Sequence, residues 1–134
     1  MKTIIVDYSK AIDAKTPVAG DQSGSSGKFV QIRHEDSEYI VFAPKETAPY
    51  HADIIEKFCA EMGIDGFLDK QEKRFEIHDP AWDIVGGGKF EMDRQGLYVR
   101  LYDNSMAYGK FERDGMEDKL RGTEEFAGYE IRVE

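Results

Sequence analysis

The sequence predicts an α/β protein of the α+β type, with a mixed, mainly antiparallel β-sheet of about six strands flanked by two α-helices. Short β-branched and aromatic segments recur along the chain, two further segments show helical spacing, and the elements follow the order β, ββ, α, ββ, α, β. The length of 134 residues suffices for one domain with its own core, so we expect a single domain over residues 1–134.

The N-terminal part of the chain is predicted to contain three strands and a loop. Residues 2–6 are apolar and β-branched, which favours a short strand. Residues 9–27 show no clear period and end in GDQSGSSG, which is typical of a loop. Residues 28–35 and 37–43 are rich in β-branched and aromatic side chains and predict a β-hairpin.

A helix is predicted over residues 48–62, where apolar side chains recur every three or four positions. Thr47 suits its N-cap and Gly63 suits its C-terminal end. His51 lies on the apolar stripe within the first turn of this helix. Its imidazole is therefore expected to point toward the body of the protein.

The rest of the chain predicts a second pair of strands and a closing helix and strand. Residues 64–80 are highly charged and end in a proline, which favours a hairpin arm or a long loop. Residues 81–93 and 97–103 predict an antiparallel pair. A helix over residues 114–126 and a strand over residues 128–134 complete the predicted fold.

Composition excludes several classes of function. The chain carries 18 basic and 27 acidic residues, for a net charge of −9, whereas binding to a nucleic-acid backbone requires a basic face. No apolar run approaches the ~18 residues of a membrane span, and no export signal is evident, so we expect a cytoplasmic protein without membrane contact. The single cysteine excludes an internal disulfide and a cysteine-cluster metal site, and neither a metal nor another cofactor is expected.

Three features are candidates for a functional site, and the first is His51. A histidine in the first turn of a helix lies near the positive end of the helix dipole, which favours a neutral ring that accepts a proton. This position suits a general base. The alternative is a buried, hydrogen-bonded histidine with a structural role.

The other two candidates are segments of small residues that suit an anion. Gly86–Gly88, followed by Lys89, interrupt a strand, which is typical either of a place where a ligand comes close or of a β-bulge. The loop NSMAYGK (104–110) follows a strand, and its backbone N–H groups, with the hydroxyl of Ser105, suit an anion nest or an ordinary turn. One pocket that joined all three features would indicate an anion-binding site.

The remaining histidines and the cysteine are not expected to carry chemistry. His34 and His78 lack the spacing that would join them to His51 as metal ligands, and both are expected at the surface. Cys59 falls on the apolar side of the predicted helix. It is expected to be a small buried hydrophobe rather than a nucleophile.

Four short motifs carry a resemblance to a known family. In chain order they are KFVQIR (28–33), YHADI (50–54), GGGK (86–89) and SMAYG (105–109). Through these motifs the chain resembles the small phosphohistidine phosphatase family, also called the Janus/ocnus family, over about its last hundred residues. Residues 9–27 and 66–80 then look like a different lead-in and an insertion.

The resemblance implies a mixed sheet flanked by two helices and a metal-independent phosphatase of protein phosphohistidine or a related phosphoramidate. It implies that His51 is the base that activates a water and that Lys28 contacts the phosphate. It also implies that Ser105, Met106 and Ala107 cradle the phosphate through backbone N–H groups and the hydroxyl. The expected partner is a phosphorylated protein or a small phosphoramidate, and the chain is expected to be a monomer.

Two positions depart from the family pattern. Lys89 stands directly after the triple glycine, where family members typically carry an arginine; lysine keeps the charge for phosphate binding but loses the bidentate fork. A second arginine, usual near the end of the strand before His51, has no counterpart, since Phe42 stands there and Lys45 is the nearest cation. These departures keep open a catalytically weak or inactive module of the same fold that binds a phospho-ligand or a protein.

Overall fold

The computed structural model describes residues 1–8 and 24–134 of the chain. Within those residues it contains eight strands and two helices. The strands are β1 (Lys2–Asp7), β2 (Gly24–His34), β3 (Ser37–Pro44), β4 (Gly66–Asp69), β5 (Arg74–Ile77), β6 (Trp82–Asp93), β7 (Tyr98–Tyr102) and β8 (Glu130–Val133), and the helices are α1 (His51–Met62) and α2 (Met116–Arg121). No helix of the described residues is long and apolar enough to cross a membrane.

Six of the strands form one mixed sheet in the order β1-β3-β2-β6-β7-β8. The four central strands pair antiparallel, whereas β1 pairs parallel with β3 and β8 pairs parallel with β7. Strands β4 and β5 form a separate hairpin. The predicted fold class, a mixed and mainly antiparallel sheet of about six strands flanked by two helices, is confirmed.

The two helices pack on opposite faces of this sheet. Successive residues of a strand point to opposite sides, so the two faces bury different side chains. Helix α1 and the β4–β5 hairpin pack on the face that carries Val30, Ile32 and Val41. Helix α2 packs on the other face, with Phe29 and Phe42. Each face therefore has its own apolar cluster, and any residue in phase with Val30 lies on the α1 side.

The predicted loop over residues 9–27 is wrong at its end, because β2 begins at Gly24. From Gly24 onward the strand pairs with β6, and this pairing satisfies the backbone without requiring apolar side chains. A Cβ on Gly27 would lie 2.2 Å from the carbonyl oxygen of Ala43, so a glycine is required where β2 passes β3. Residues 9–23, the remainder of that prediction, lie outside the described residues.

Helix α1 begins at His51, later than predicted. The residue before a proline is disfavoured in helical conformation, so Pro49 holds the preceding chain out of the helix. Tyr50, not Thr47, is the N-cap, with extended backbone angles. Gly63 ends the helix with a φ of 72°, which confirms the predicted C-terminal glycine.

Two other segments differ in detail from the prediction. Residues 64–80 contain the β4–β5 hairpin, which confirms the hairpin alternative. Helix α2 spans six residues rather than the predicted 114–126. Gly115, with a φ of 78°, precedes it and Gly122 follows it, so glycines bound the helix on both sides.

Candidate functional site

A cationic cavity of about 310 Å³ lies where strands β3 and β7 end. Lys28 on β2 pairs directly with Lys89 on β6, and Lys89 pairs with Tyr102 on β7. Directly opposed residues of neighbouring strands share a face of the sheet, so these three side chains lie side by side. The cavity is lined by Ser26, Gly27, Lys28, Lys45, Pro49, Lys89, Phe90 and Tyr102.

The lysines of this cavity are close enough to repel one another. The Nζ of Lys28 donates to the carbonyl oxygen of Pro49 at 2.7 Å, and that of Lys89 forms an ion pair with Oδ2 of Asp103 at 3.2 Å. The pKa of Lys28 is lowered, first by burial and then by the positive charges of Lys89 and Lys45. An anion in the cavity would relieve this repulsion.

His51 is buried at the start of α1, with 7% of its surface exposed, as the helical stripe predicts. Its Nε2 lies 2.9 Å from the carbonyl oxygen of Gly88. Because a carbonyl oxygen only accepts hydrogen bonds, Nε2 carries the proton of this bond. In the neutral ring the lone pair is then on Nδ1, which is the atom available as a base.

The surroundings of His51 favour the neutral ring. Burial lowers its pKa most, and the ammonium groups of Lys28 and Lys89 lower it further. The Gly88 carbonyl and the Asp103 carboxylate act in the opposite direction, but the net shift is downward from the ordinary value of 6.5. Burial and the two lysines therefore favour the neutral imidazole, which is the state expected for a general base.

The glycine run on β6 allows other groups to approach the strand. A Cβ on Gly87 would lie 2.8 Å from Cδ2 of His51 and 2.6 Å from the carbonyl oxygen of Phe29. One on Gly86 would lie 2.1 Å from the carbonyl oxygen of Lys110. The register between β2 and β6 also shifts beside this run. These features are those of the β-bulge alternative, and the side chain that the run admits is the imidazole of His51.

The loop after β7 closes on itself through its own hydrogen bonds. The N–H of Ser105 donates to the carbonyl oxygen of Gly109 at 3.0 Å, and that of Gly109 donates back to Ser105 at 2.8 Å. The N–H of Tyr108 donates to Oγ of Ser105 at 3.1 Å. Within the described part of the chain, the backbone N–H groups of Met106 and Ala107 have no such partner. These two groups and the hydroxyl proton of Ser105 are the donors that an anion nest requires.

Strand β6 brings the candidate features together. The carbonyl oxygen of Gly88 bonds His51. One residue earlier, the N–H of Gly87 donates to the carbonyl oxygen of Gly109 in the loop at 3.2 Å. One residue later, Lys89 lines the cavity. The histidine, the loop and the cationic cavity therefore contact three consecutive residues of one strand. Among the described residues that line the cavity, however, neither His51 nor the loop residues 105–107 are found, so one pocket that joins all three features is not observed.

Some lining residues are not apparent from the sequence. The alternation of its strand places Tyr102 on one face, but only the strand register sets it opposite Lys89. Ser26 falls in a segment predicted as a loop. Phe42 is fully buried on the α2 face, whereas Lys45, the nearest cation in the sequence, lines the cavity.

The other histidines and the cysteine lie outside this site. His34 and Trp82 pair directly across β2 and β6, and their rings stack with centroids 4.0 Å apart. His34 is therefore half-buried, and its predicted surface position is wrong in part. His78 is exposed, as predicted. Cys59 is buried, and burial raises its pKa to about 11, as expected of a small hydrophobe. No group of three or more possible ligands among the described residues is placed to hold a metal ion.

The fold and the site define an α+β domain in which a cationic cavity, a buried neutral histidine and a small-residue loop meet on one strand of a mixed sheet. The sequence model of the Janus/Ocnus family (Ocnus) matches residues 18–130, which is most of the chain. The chain belongs to the Janus/Ocnus family. No curated protein matches it.

Proposed function

We propose that the chain is a metal-independent phosphatase that hydrolyses protein phosphohistidine or a related phosphoramidate, with His51 as the general base. The observation that carries the proposal is the hydrogen bond from Nε2 of His51 to the Gly88 carbonyl, because it leaves the Nδ1 of a neutral ring free to accept a proton. The resemblance of the motifs to small phosphohistidine phosphatases supports the same activity.

The substrate phosphate would bind at the loop and the cavity together. The backbone N–H groups of Met106 and Ala107 and the hydroxyl of Ser105 donate to its oxygens. Lys28 and Lys89 supply positive charge as negative charge develops on the transferring group. The P–N bond is intrinsically labile, so positioning and electrostatic stabilisation are the main contributions required of the protein.

In the chemical step, Nδ1 of His51 takes a proton from a water that attacks phosphorus in line with the P–N bond. The new P–O bond forms as the P–N bond breaks, and the leaving nitrogen takes up a proton. The reaction thus consumes one water and no net proton. A competing route, in which His51 itself is phosphorylated, is distinguished by mass spectrometry of rapidly quenched protein, since only that route produces phospho-His51.

The test is hydrolysis of a phosphohistidine peptide, with EDTA present, by the wild type, His51→Ala and His78→Ala. His78 is an exposed histidine away from the site, which makes it the matched control. We expect the wild type and His78→Ala to turn over the peptide alike. His51→Ala should be slower by about 10²–10⁴-fold, the usual contribution of a general base. Equal rates for the wild type and His51→Ala, or no turnover by the wild type, would reject the proposal.

A second candidate is a module that binds a phospho-ligand without hydrolysing it. The observation in its favour is that, in the part of the chain that the structure describes, the cations lining the cavity are Lys28, Lys45 and Lys89, and none is an arginine. Lysine binds phosphate as a point charge and lacks the bidentate geometry of a guanidinium. A titration with inorganic phosphate, followed by NMR, separates the two functions: binding to the wild type without turnover of the peptide supports the module.

A further inference from the structure

The β4–β5 hairpin is a feature of the fold that the proposed reaction does not use. It follows α1 in the chain and packs against both that helix and the loop after β7. Phe75 of the hairpin is buried in one cluster with Ile55 and Phe58 of α1 and with Tyr108 of the loop. The hairpin therefore contacts the helix that carries His51 and the loop that carries the proposed phosphate donors.

Strand β5 holds two consecutive residues of this loop through four contacts. Nη1 of Arg74 donates to the carbonyl oxygen of Ala107 at 2.6 Å. The hydroxyl of Tyr108 accepts a hydrogen bond from the N–H of Phe75 at 2.7 Å and donates to the carbonyl oxygen of Phe75 at 3.0 Å. The guanidinium carbon of Arg74 also lies 4.9 Å from the ring centroid of Tyr108.

These contacts fix one peptide plane beside the free N–H groups of the loop. The carbonyl between Ala107 and Tyr108 is bonded by Arg74, and the N–H of the same peptide donates to Oγ of Ser105 at 3.1 Å. A peptide unit is planar, so bonds at both ends determine its orientation. The plane directly follows the unpartnered N–H groups of Met106 and Ala107. Because the carbonyl faces the guanidinium, its partial negative charge is directed away from an anion on the loop.

We propose that the β4–β5 hairpin is a positioning element for the anion-binding loop and that Arg74 is its positioning residue. Arg74 acts through the backbone of Ala107 and does not contact the substrate. Its Nε also lies 2.8 Å from Oε1 of Glu76, so the two side chains form an ion pair within β5. The part of this proposal that concerns phosphate rests on the proposed function.

The experiment compares the wild type with Arg74→Ala, Arg74→Lys and Lys70→Ala. Lys70→Ala is the matched control, because it removes the same charge from an exposed position of the same hairpin. Two quantities are measured: the affinity for inorganic phosphate by NMR titration, and hydrogen exchange of the bonded loop amides of residues 105, 108 and 109.

Arg74→Ala should weaken phosphate binding and speed loop exchange, each by about tenfold, which is typical for the loss of one hydrogen bond to a charged group. Arg74→Lys should restore most of both, since an ammonium group also donates to the Ala107 carbonyl. Lys70→Ala should match the wild type.

Unchanged exchange and affinity in Arg74→Ala would overturn the proposal, and so would equal losses in Lys70→Ala. If Arg74→Ala does not fold, Tyr108→Phe takes its place, because it removes the hydroxyl bonded to Phe75 and keeps the ring. Faster loop exchange in Tyr108→Phe supports the proposal, and unchanged exchange overturns it. If the wild type neither binds phosphate nor hydrolyses the peptide, the proposed function fails, while the exchange rates still decide the positioning role.

Discussion

Replacing Gly87 by alanine places a methyl group between β6 and α1. The added Cβ would lie 2.6 Å from the carbonyl oxygen of Phe29 and 2.8 Å from Cδ2 of His51. Two carbon atoms pack at about 3.5 Å or more, so the imidazole or the strand must move by roughly 0.7 Å. Either movement disturbs the 2.9 Å hydrogen bond between Nε2 of His51 and the carbonyl oxygen of Gly88.

We expect Gly87→Ala to lower the free energy of unfolding by about 1–3 kcal/mol, the usual cost of forcing an extra methyl group into a packed site. Hydrolysis of the phosphohistidine peptide should fall by up to about 100-fold, because a misplacement of ~1 Å in a catalytic group costs about that much. Urea unfolding measures the first quantity, and initial rates of hydrolysis measure the second.

Gly24→Ala in β2 is the matched control for this substitution. Among the described residues, its added Cβ would meet only the carbonyl oxygen of Met92, at an ordinary contact distance of 3.8 Å. We expect Gly24→Ala to change the free energy of unfolding by less than about 0.5 kcal/mol and to keep the wild-type rate. If Gly87→Ala unfolds and hydrolyses like Gly24→Ala, the close approach of His51 to β6 is refuted, and with it the orientation of the base.

Three further predictions concern pH, a buried charge and phosphate affinity. Because burial lowers the pKa of His51 from 6.5 and the neutral ring is the proposed base, kcat/KM for the peptide should fall only below about pH 6.5. A fall that begins at a higher pH in the rate profile would contradict the proposal that His51 is the base. Glu38→Gln should lower the free energy of unfolding at pH 7 by about 3–5 kcal/mol, since the buried carboxylate pairs with Arg33 at 2.6 Å and with Lys119 at 3.1 Å. Urea unfolding measures this change, and a loss below about 1 kcal/mol would show that the ion pairs are dispensable. Burial raises the pKa of Glu38, but hydrogen bonds from Arg33 and Lys119 outweigh it and the net shift is downward from 4.5. The folded state then binds fewer protons than the unfolded state, so wild-type stability should fall as the pH drops below about 4.5, more steeply than that of Glu38→Gln. Lys89→Arg should bind inorganic phosphate several-fold more tightly in an NMR titration, because it provides a bidentate fork. Unchanged affinity would show that a guanidinium at this position forms no bidentate contact with the phosphate.

Local sequence pattern was sufficient for most of the fold. The alternation in residues 97–103 and the apolar stripe in residues 48–62 predicted β7 and α1, because both periods depend on near neighbours only. The predicted elements were wrong in segments whose side chains show no hydrophobic periodicity. Residues 24–27 are glycine and serine, and only pairing with β6 makes them a strand. The predicted helix over 114–126 is shortened by the glycines beside α2, whose effect on its ends depends on backbone geometry.

For the candidate site, too, the sequence predicted some properties and not others. The apolar stripe of the helix predicted the buried position of His51, and the small residues after β7 predicted a loop with N–H donors, since both properties are local. The lowered pKa of His51 is not local, because burial and the charges of Lys28 and Lys89 produce it. Local pattern predicts neither which nitrogen of His51 is hydrogen-bonded nor which cations line the cavity. The first depends on Gly88 of β6, and the second brings Lys45 together with Lys28 and Lys89 from other elements.

The sequence by itself determined the order and type of the elements of the main sheet and its helices, the inward face of His51 and the motifs of the Janus/Ocnus family, because each depends on residues close together in the chain. Only the tertiary structure decided that Lys28 lies opposite Lys89 and that Arg74 of the β4–β5 hairpin donates a hydrogen bond to the loop at Ala107. Strand register and the packing of one element on another join residues far apart in sequence. The register and the packing are set when both faces of the sheet are buried at once, and the pattern within one segment does not specify them.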